Sequence, residues 1–145
     1  MIKAFSDYGY PVIVVEKVSR EKIKDYGIIG GTEIEQGVYD IHTIVEKPNL
    51  EEAPSDLGAI GRYILTPDIF DVLNDISPGI YGELQLTDAL QMLPRKIGLI
   101  SHCRRYDIGD KLGWMKANLE LTLQSREFGD EIREYLQSLG ENRDL

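Results

Sequence analysis

Cysteine is nearly missing from this sequence, which contains only Cys103. A single thiol cannot form an intramolecular disulfide, so a fold held together by disulfides is excluded. Long apolar stretches are also missing, because the longest runs, such as residues 12–15, are the size of a strand and cannot cross a bilayer. The first residues lack the apolar stretch and the cleavage site of a signal peptide. These features predict a cytoplasmic location.

Positive charge is scarce as well. The sequence has 16 lysines and arginines against 25 aspartates and glutamates, which gives a formal net charge of −9. Such a field repels polyanions, so nonspecific binding to nucleic acid or to an anionic membrane is not expected. A small phosphate compound is compatible with this charge, since a few local cations are enough to hold it.

The common phosphate-binding loops are the third absence. Neither a Gly-x-Gly-x-x-Gly motif nor a Gly-x-x-x-x-Gly-Lys-Ser/Thr motif occurs in the sequence. Both loops hold the phosphates of a nucleotide with backbone N–H groups. The sequence therefore offers no loop of these kinds for a nucleotide.

Strand-like and helical patterns alternate along the 145 residues, of which 42% are hydrophobic. The β-branched run Val12–Val15 is typical of a strand buried on both faces. Thr66 and Pro67 predict a helix start, as N-cap and first helical residue. Together the patterns predict an α/β fold with a mixed sheet of four to six strands. Strands are predicted at residues 12–15, 26–29 with a turn at Gly30-Gly31, 38–46, 59–65 and 97–106, and helical segments at 1–8, 19–25, from 66 onward, 86–93, 112–123 and 128–139 with Gly140 as cap.

The tripeptide Glu46-Lys47-Pro48 closes one predicted strand and enters a loop. Binding sites of open α/β sheets lie beyond strand ends. A carboxylate there can accept hydrogen bonds from hydroxyl groups, and an adjacent ammonium can hold a phosphate as a point charge. The alternative interpretation is a solvated Glu-Lys pair before a turn.

Six short motifs occur in a fixed order along the chain. They are Tyr26-Gly27-Ile28-Ile29, Val45-Glu46-Lys47-Pro48, Ala53-Pro54-Ser55-Asp56-Leu57, Gly61-Arg62-Tyr63-Ile64-Leu65, Gly82-Glu83-Leu84-Gln85-Leu86-Thr87-Asp88-Ala89 and Tyr106-Asp107-Ile108-Gly109-Asp110-Lys111-Leu112-Gly113-Trp114. Each motif alone is weak, but the ordered set resembles the bacterial-type UTP–glucose-1-phosphate uridylyltransferase family of the sugar-nucleotidyltransferase superfamily. The resemblance covers nearly the whole chain.

The resemblance implies a Rossmann-like mixed sheet flanked by helices, and the conversion of UTP and glucose 1-phosphate into UDP-glucose and pyrophosphate. It assigns the sugar hydroxyls to Glu46 and the sugar phosphate to Lys47. It places Gly27 where the backbone approaches the sugar, which a residue without Cβ allows. The alternative for Gly27 is a plain kink in a strand.

The resemblance also implies a metal site. Asp107 matches the metal-binding aspartate of the family, and the expected ion is Mg²⁺, which takes one or two carboxylates together with phosphate oxygens and water. Lys47 and Asp107 are thus the implied catalytic residues. The alternative for Asp107 is an N-cap of the helix that follows it.

Structural roles are expected for the other reactive side chains. His42 and His102 lie within predicted strands without a partner at metal-ligand spacing, and Cys103 is expected in the core. Trp114 is expected to pack against its neighbours. Further structural roles are predicted for Arg104 and Arg105 at an exposed strand end, and for Glu83 and Asp88 in a loop and a helix cap.

The resemblance stops at one half of the family. The Gly-rich loop, the Pro-Lys pair and the second metal aspartate of the family's N-terminal half do not occur here. The expectation is a single partial domain over residues 1–145, inactive alone, with a helix at residues 1–8 that begins without an N-cap. Two readings stay open: a piece of a full enzyme, or a non-catalytic module that binds sugar phosphates or assembles oligomers.

Association is a further expectation. In the family fold the other half supplies neighbouring strands, so the apolar run Val12–Val15 is predicted to be an unpaired edge. Bare apolar helix faces would act in the same direction. A homo-oligomer formed by pairing of sheet edges is therefore predicted.

Overall fold

The computed structural model describes residues 1–78, 82–106 and 108–141. These residues form two compact units, Met1–His102 and Cys103–Leu145. That residues 1–145 are a single partial domain stays a prediction, because a division into compact units does not test whether they fold together. The first unit contains α1 (Ile2–Tyr8), β1 (Val12–Lys17), a 3-10 turn (Arg20–Asp25), β2 (Gly27–Glu35), β3 (Val38–Glu46), β4 (Leu57–Ile64), α2 (Ile69–Asp75), α3 (Leu86–Met92) and β5 (Ile97–Ile100), and the second contains α4 (Lys111–Leu123) and α5 (Gly129–Glu141).

The five strands of the first unit form one mixed sheet, as the strand patterns predicted. Their order is β1-β4-β2-β3-β5, and β5 pairs with β1 again, so the sheet closes on itself. The β1–β5 pair is parallel and the other pairs are antiparallel. Closure depends on the long β2–β3 hairpin, which reaches β4 with residues 28–29 and β5 with residues 38–40.

Helices pack on both faces of this sheet. Successive side chains of β1 point to opposite faces and therefore contact different helices. Ile13 and Val15 belong to a core with α2 and α3, whereas Val12 packs in a second cluster with α1. Residues 12–15 are all buried, which confirms the prediction of a strand buried on both faces. The first core consists of Ile13, Val15, Ile29, Ile41, Ile44, Leu57, Ile69, Ala89, Leu90 and Leu93.

The predicted unpaired edge at Val12–Val15 is wrong. This run pairs with β4 on one side and with β5 on the other. The sequence pattern identified a buried strand, but it could not show that β5, more than 80 residues later, would return beside it.

The predicted turn at Gly30-Gly31 is also wrong, since β2 continues to Glu35. The ladder shifts register between these two glycines, where Gly30 lies opposite Thr43 and Gly31 opposite Ile41. A Cβ on Gly31 would lie 2.3 Å from the carbonyl oxygen of Asp40, so the two backbones approach too closely for a side chain. The glycine pair therefore permits a β-bulge rather than a reversal of the chain.

Several predicted helix caps differ in the structure. Thr66 does not act as a side-chain cap, because its buried hydroxyl has no hydrogen-bond partner within residues 1–78, 82–106 and 108–141. Its backbone carbonyl does accept from the N–H of Ile69, so the turn begins there by main-chain bonding. Gly140 does not end the last helix, which runs through Glu141.

The predicted strand at residues 97–106 is shorter, since β5 ends at Ile100. His102 and Cys103 follow the strand, and both are exposed, so the prediction of a core position for Cys103 is wrong. Trp114 is 55% exposed, so its predicted packing role is wrong too.

Within the second unit, residues 104–106 are tied to α4. The guanidinium of Arg104 donates from both terminal nitrogens to the carboxylate of Glu120, at 2.6 and 2.7 Å. The Tyr106 hydroxyl donates to the same carboxylate at 2.9 Å, and this interaction raises the pKa of Tyr106. In the described part of the chain, no helix is long and apolar enough to span a membrane.

Candidate functional site

Glu46 and Gly27 lie opposite each other where β3 ends and β2 begins. A Cβ built on Gly27 would lie 3.0 Å from the Glu46 Oε2 atom, which is closer than ordinary packing. Gly27 does not have a positive φ, whereas several other glycines do. Glycine is therefore favoured here by the close approach of the Glu46 carboxylate, and no left-handed torsion is involved.

Thr87, near the start of α3, completes this contact. Its hydroxyl donates to Glu46 Oε2 at 2.5 Å, and the same Oγ1 atom lies 3.2 Å from the position of a Gly27 Cβ. One carboxylate oxygen of Glu46 is thus held by a hydroxyl from another element. The motif that contains Thr87 predicts structural roles for Glu83 and Asp88 and no role for Thr87 itself.

Glu83 lies in a loop, as predicted, but Asp88 is not the cap of α3. The N-cap position is Gln85, and Asp88 lies inside the first turn.

Lys47 has a left-handed backbone with φ 44°. Its backbone N–H donates to the carbonyl oxygen of Tyr26 at 2.9 Å, which continues the hairpin pairing. Consecutive side chains of a regular strand point to opposite faces, so Glu46 and Lys47 would diverge in an extended chain. The left-handed turn instead brings Lys47 Nζ to 4.0 Å from Glu46 Oε1.

This ion pair leaves the ammonium available to a ligand. The Lys47 side chain is 55% exposed, and exposed pairs contribute only about 0–1 kcal/mol. An incoming phosphate can therefore replace the carboxylate as partner of Lys47 with little loss. The carboxylate and the ammonium together complement a polyhydroxyl compound that carries a phosphate.

The negative charge of Glu46 affects the pKa of Tyr63 on β4. Burial raises the pKa of Tyr63 above its ordinary value, and the negative charge of Glu46 raises it further. Tyr63 also packs against the first core.

The Ala-Pro-Ser motif supports the site from behind. The Ser55 hydroxyl donates to the carbonyl oxygen of Ile29 at 2.5 Å and accepts from the Leu57 N–H at 2.9 Å. Pro54 covers Gly30, since a Cβ there would lie 2.8 Å from Pro54 Cβ. The motif thus fixes the loop to β2 a few residues from Gly27.

Asp107, the predicted metal ligand, lies outside the described residues. Its alternative role as helix cap is filled by Asp110, whose carboxylate accepts from the N–H of Gly113 at 2.7 Å. No group of three or more His, Cys, Asp or Glu side chains that could hold a metal ion occurs in the part of the chain that the structure describes.

The two histidines, for which structural roles are predicted, both lie at the surface. His42 is exposed on β3, with Nε2 at 3.9 Å from Asp40 Oδ2. His102 is exposed after β5. The described residues place neither imidazole in a metal-binding cluster.

Comparison with known proteins identifies a family and several relatives. A family model described as nucleotidyl transferase matches residues 1–123. A protein of Methanocaldococcus jannaschii, provisionally named a UTP–glucose-1-phosphate uridylyltransferase, is 46% identical over 143 residues, which are 96% of this chain and 50% of that protein. A UTP–glucose-1-phosphate uridylyltransferase of Streptococcus pyogenes is 41% identical over 133 residues, which are 88% of this chain and 43% of the relative. The chain therefore spans about half the length of these relatives.

Solved structures show the same likeness. A UDP-glucose pyrophosphorylase in complex with UDP-glucose superposes with a TM-score of 0.80 at 40% identity, over 85% of this chain and 48% of the other. A UTP-bound enzyme of the same kind from Acinetobacter baumannii gives a TM-score of 0.82 at 31% identity, over 96% of this chain and 49% of the other. The predicted α/β fold with a mixed sheet and flanking helices is confirmed by these superpositions.

Proposed function

We propose that this chain, which belongs to the nucleotidyl transferase family, is the sugar-phosphate half of a UTP–glucose-1-phosphate uridylyltransferase. The observation that carries the proposal is the convergence of Gly27, Glu46, Lys47 and Thr87 at one end of the β2–β3 hairpin. Relatives at 46% and 41% identity bear this enzyme's name. Glucose 1-phosphate is accordingly the proposed ligand, and UDP-glucose the proposed product of the complete enzyme.

The side chains divide the ligand between them. The Glu46 carboxylate accepts hydrogen bonds from sugar hydroxyls, while the Thr87 hydroxyl keeps it oriented. Lys47 holds the sugar phosphate by charge. Because its ammonium lies 4.0 Å from the Glu46 carboxylate, the phosphate is held close to the sugar hydroxyls that Glu46 binds. Gly27 allows the Glu46 carboxylate and the Thr87 hydroxyl to lie close to the backbone of β2.

In the proposed reaction an oxygen of the sugar phosphate attacks the α-phosphorus of UTP, and pyrophosphate leaves. The protein contributes chiefly position and charge neutralisation, because a prealigned attack needs little further help. This sequence contains no glycine-rich loop of the usual kinds for the triphosphate. We therefore expect the isolated chain to bind the sugar phosphate without turning it over.

Nucleotidyl transferases generally use a divalent metal ion. We propose that the ion is Mg²⁺ and that Asp107 supplies the ligand from this half, on the strength of the family motif around it. When bound, the ion would neutralise negative charge on the phosphates. The second aspartate expected for the family belongs to the half that this sequence lacks.

The alternative is a non-catalytic module of the same family that binds sugar phosphate or assembles oligomers. Both proposals share the sugar-phosphate site, and they differ in whether a nucleotide-binding half is ever joined to it. We also keep the cytoplasmic location as a prediction.

Calorimetric titration of the purified chain with glucose 1-phosphate tests the shared part of the proposal. We expect saturable binding that Glu46→Gln weakens about tenfold or more, since a charged hydrogen-bond acceptor is worth about 1.5–3 kcal/mol. Glu51→Gln, an exposed change in the loop, is the control and should bind as the parent does. Absence of binding by the parent chain, or equal binding by Glu46→Gln, would contradict the proposed function.

A pyrophosphate-release assay on the same preparation separates the two readings. With UTP, glucose 1-phosphate and Mg²⁺ present, we expect no release above background from this chain alone. Sustained pyrophosphate release would show that these 145 residues are a complete enzyme and would overturn the proposal of a half-site.

A further inference from the structure

β3 pairs with β2 along one edge, and most of its opposite edge is covered by α3 and the residues after it rather than by a strand. β5 pairs only with residues 38–40 of β3, at the beginning of the strand. Further along, the N–H groups that face away from β2 find partners in the segment from α3 to β5. The Ile41 N–H donates to the carbonyl oxygen of Lys96 at 3.0 Å, and the Ile44 N–H donates to the side-chain carbonyl of Gln91 at 2.6 Å.

α3 lies along this edge in a fixed register. Thr87 contacts Glu46, and Gln91, four residues later, contacts Ile44, two residues earlier on β3. Four residues of a helix advance about 6 Å, and two residues of a strand advance about 6.6 Å. The spacing of the two contacts along α3 therefore matches their spacing along β3, and α3 runs antiparallel to β3.

The end of α3 is fixed by a buried lysine. Lys96 is 2% exposed, and its ammonium donates to the carbonyl oxygens of Leu93 at 3.0 Å and Gln91 at 3.4 Å. These are carbonyls of the last turn and the residues after it, which a helix leaves without internal partners. Gln91 is thus held at its backbone by Lys96 while its side chain holds β3.

We propose that Gln91 is a positioning residue for the sugar-binding carboxylate. By bonding the Ile44 N–H it sets the register of α3 on β3, and through that register it sets the Thr87 hydroxyl that orients Glu46. The proposal deepens the proposed function, on which it rests for the identity of the ligand.

Apolar packing of α3 does not supply this register. The helix has seven residues, which is too short to be stable by itself, so its place depends on tertiary contacts. Ala89 and Leu90 are buried in the first core, but apolar burial is non-directional and permits a shift along the strand. The hydrogen bond from Ile44 is directional, and it lies one helical turn from Thr87.

Three variants isolate the hydrogen bond. Gln91→Met keeps nearly the length and shape of the side chain but removes its carbonyl oxygen. Gln91→Glu keeps an oxygen that can accept from Ile44 and should rescue. Met92→Gln, at the adjacent position where the side chain is 54% exposed, is the matched control for a surface change at this end of α3.

The first readout needs no ligand. A threonine hydroxyl proton in a hydrogen bond to a carboxylate exchanges slowly with water and is visible by NMR. We expect its exchange in Gln91→Met to be about tenfold faster than in the parent, and near the parental rate in Gln91→Glu and Met92→Gln. Parental exchange of the Thr87 hydroxyl in Gln91→Met would overturn the proposal, as would fast exchange in the parent.

The second readout is a double-mutant cycle on affinity for glucose 1-phosphate. Gln91→Met should weaken binding in the parent, but it should have no further effect when Thr87 is already replaced by valine, because both changes act through one hydrogen bond. Additive losses would show that Gln91 acts by general stability and would overturn the proposal. If the parent chain binds no glucose 1-phosphate, the proposed function fails, and the exchange of the Thr87 hydroxyl alone decides the role of Gln91.

Discussion

Glu46 and Lys47 are neighbours in sequence whose side chains meet in space because of one backbone torsion. A left-handed φ of 44° at Lys47 turns its ammonium back toward the carboxylate. Non-glycine residues in this region are uncommon and carry strain of order 1–3 kcal/mol, and such residues cluster at functional sites. The local conformation thus agrees with the role that the family motif implies for both residues.

Sequence alone predicts three residues of the candidate site but not the fourth. Gly27, Glu46 and Lys47 belong to motifs whose order is visible in the sequence. Thr87 reaches Glu46 across 41 positions, and its contact depends on how α3 packs on β3. Tertiary packing of that kind leaves no local pattern to read.

The first prediction at this scale concerns Tyr63. Its folded-state pKa is raised by burial and then by the charge of Glu46, so Glu46→Gln should lower the pKa of Tyr63 toward its ordinary value while burial keeps it raised. NMR titration of the tyrosine ring carbon gives the midpoint. A raised pKa stabilises the folded chain below the unfolded-state value of about 10, and this contribution is lost as the pH rises further. The free energy of unfolding should therefore fall less at alkaline pH in Glu46→Gln than in the parent. An unchanged Tyr63 midpoint in Glu46→Gln would show that the two groups do not interact.

A second prediction concerns Lys47. Replacement by alanine removes the only charge that we assign to the sugar phosphate, and it should weaken binding of glucose 1-phosphate about tenfold or more. Affinity for glucose, which has no phosphate, should not change between parent and variant. Calorimetry with both ligands measures the difference, and an equal loss for both would contradict the assignment to phosphate.

At the scale of elements, the patterns located most strands and helices. The strand at Val38–Glu46 has the predicted bounds, since its ends are marked by a turn and by Pro48. The pattern failed at Gly30-Gly31, where a close approach to Asp40 rather than a turn requires glycine. It failed again after Ile100, because nothing in the polar residues beyond that point distinguishes a strand from an extended loop.

The prediction at this scale concerns Lys96, which anchors the end of α3. Burial lowers the pKa of Lys96, so between that lowered value and about 10.5 the unfolded chain binds more protons than the folded one. The free energy of unfolding contributed by this group therefore rises with pH across that window. The free energy of unfolding can be measured by denaturant for the parent and for Lys96→Met at pH 8 and at pH 10. Its change from pH 8 to pH 10 should be more positive for the parent, and tyrosine ionisation does not alter this difference because it affects both proteins alike. Equal changes would mean that Lys96 is not buried as a charged group.

At the scale of the molecule, closure of the sheet removes the reason first given for association. The apolar run of β1 has partners on both sides, so pairing through that edge is not available. Apolar surface of another kind remains on α4, where Leu112, Met115 and Leu119 are 57%, 61% and 42% exposed and follow a helical stripe. Formation of a homo-oligomer stays a prediction, now through this stripe.

Sedimentation equilibrium at micromolar concentration checks the prediction of association. We expect a species larger than 16.4 kDa for the parent and a shift toward the monomer for Leu119→Lys, which places a charge in the stripe. Lys24→Gln changes an exposed lysine of the 3-10 turn, on a different element from the stripe, and should leave the parental distribution. A parent that sediments as a clean monomer would contradict the prediction.

The most direct test of the central claim is an NMR titration of the isotope-labelled chain with glucose 1-phosphate. If the β2–β3 hairpin end is a sugar-phosphate site, backbone amide signals of Gly27, Glu46, Lys47 and Thr87 should move together with one saturation curve, while those of α4 and α5 stay in place. Glucose 6-phosphate, which carries its phosphate at the wrong position, should move them less at equal concentration. Signals that shift elsewhere, or not at all at millimolar ligand, would contradict the account.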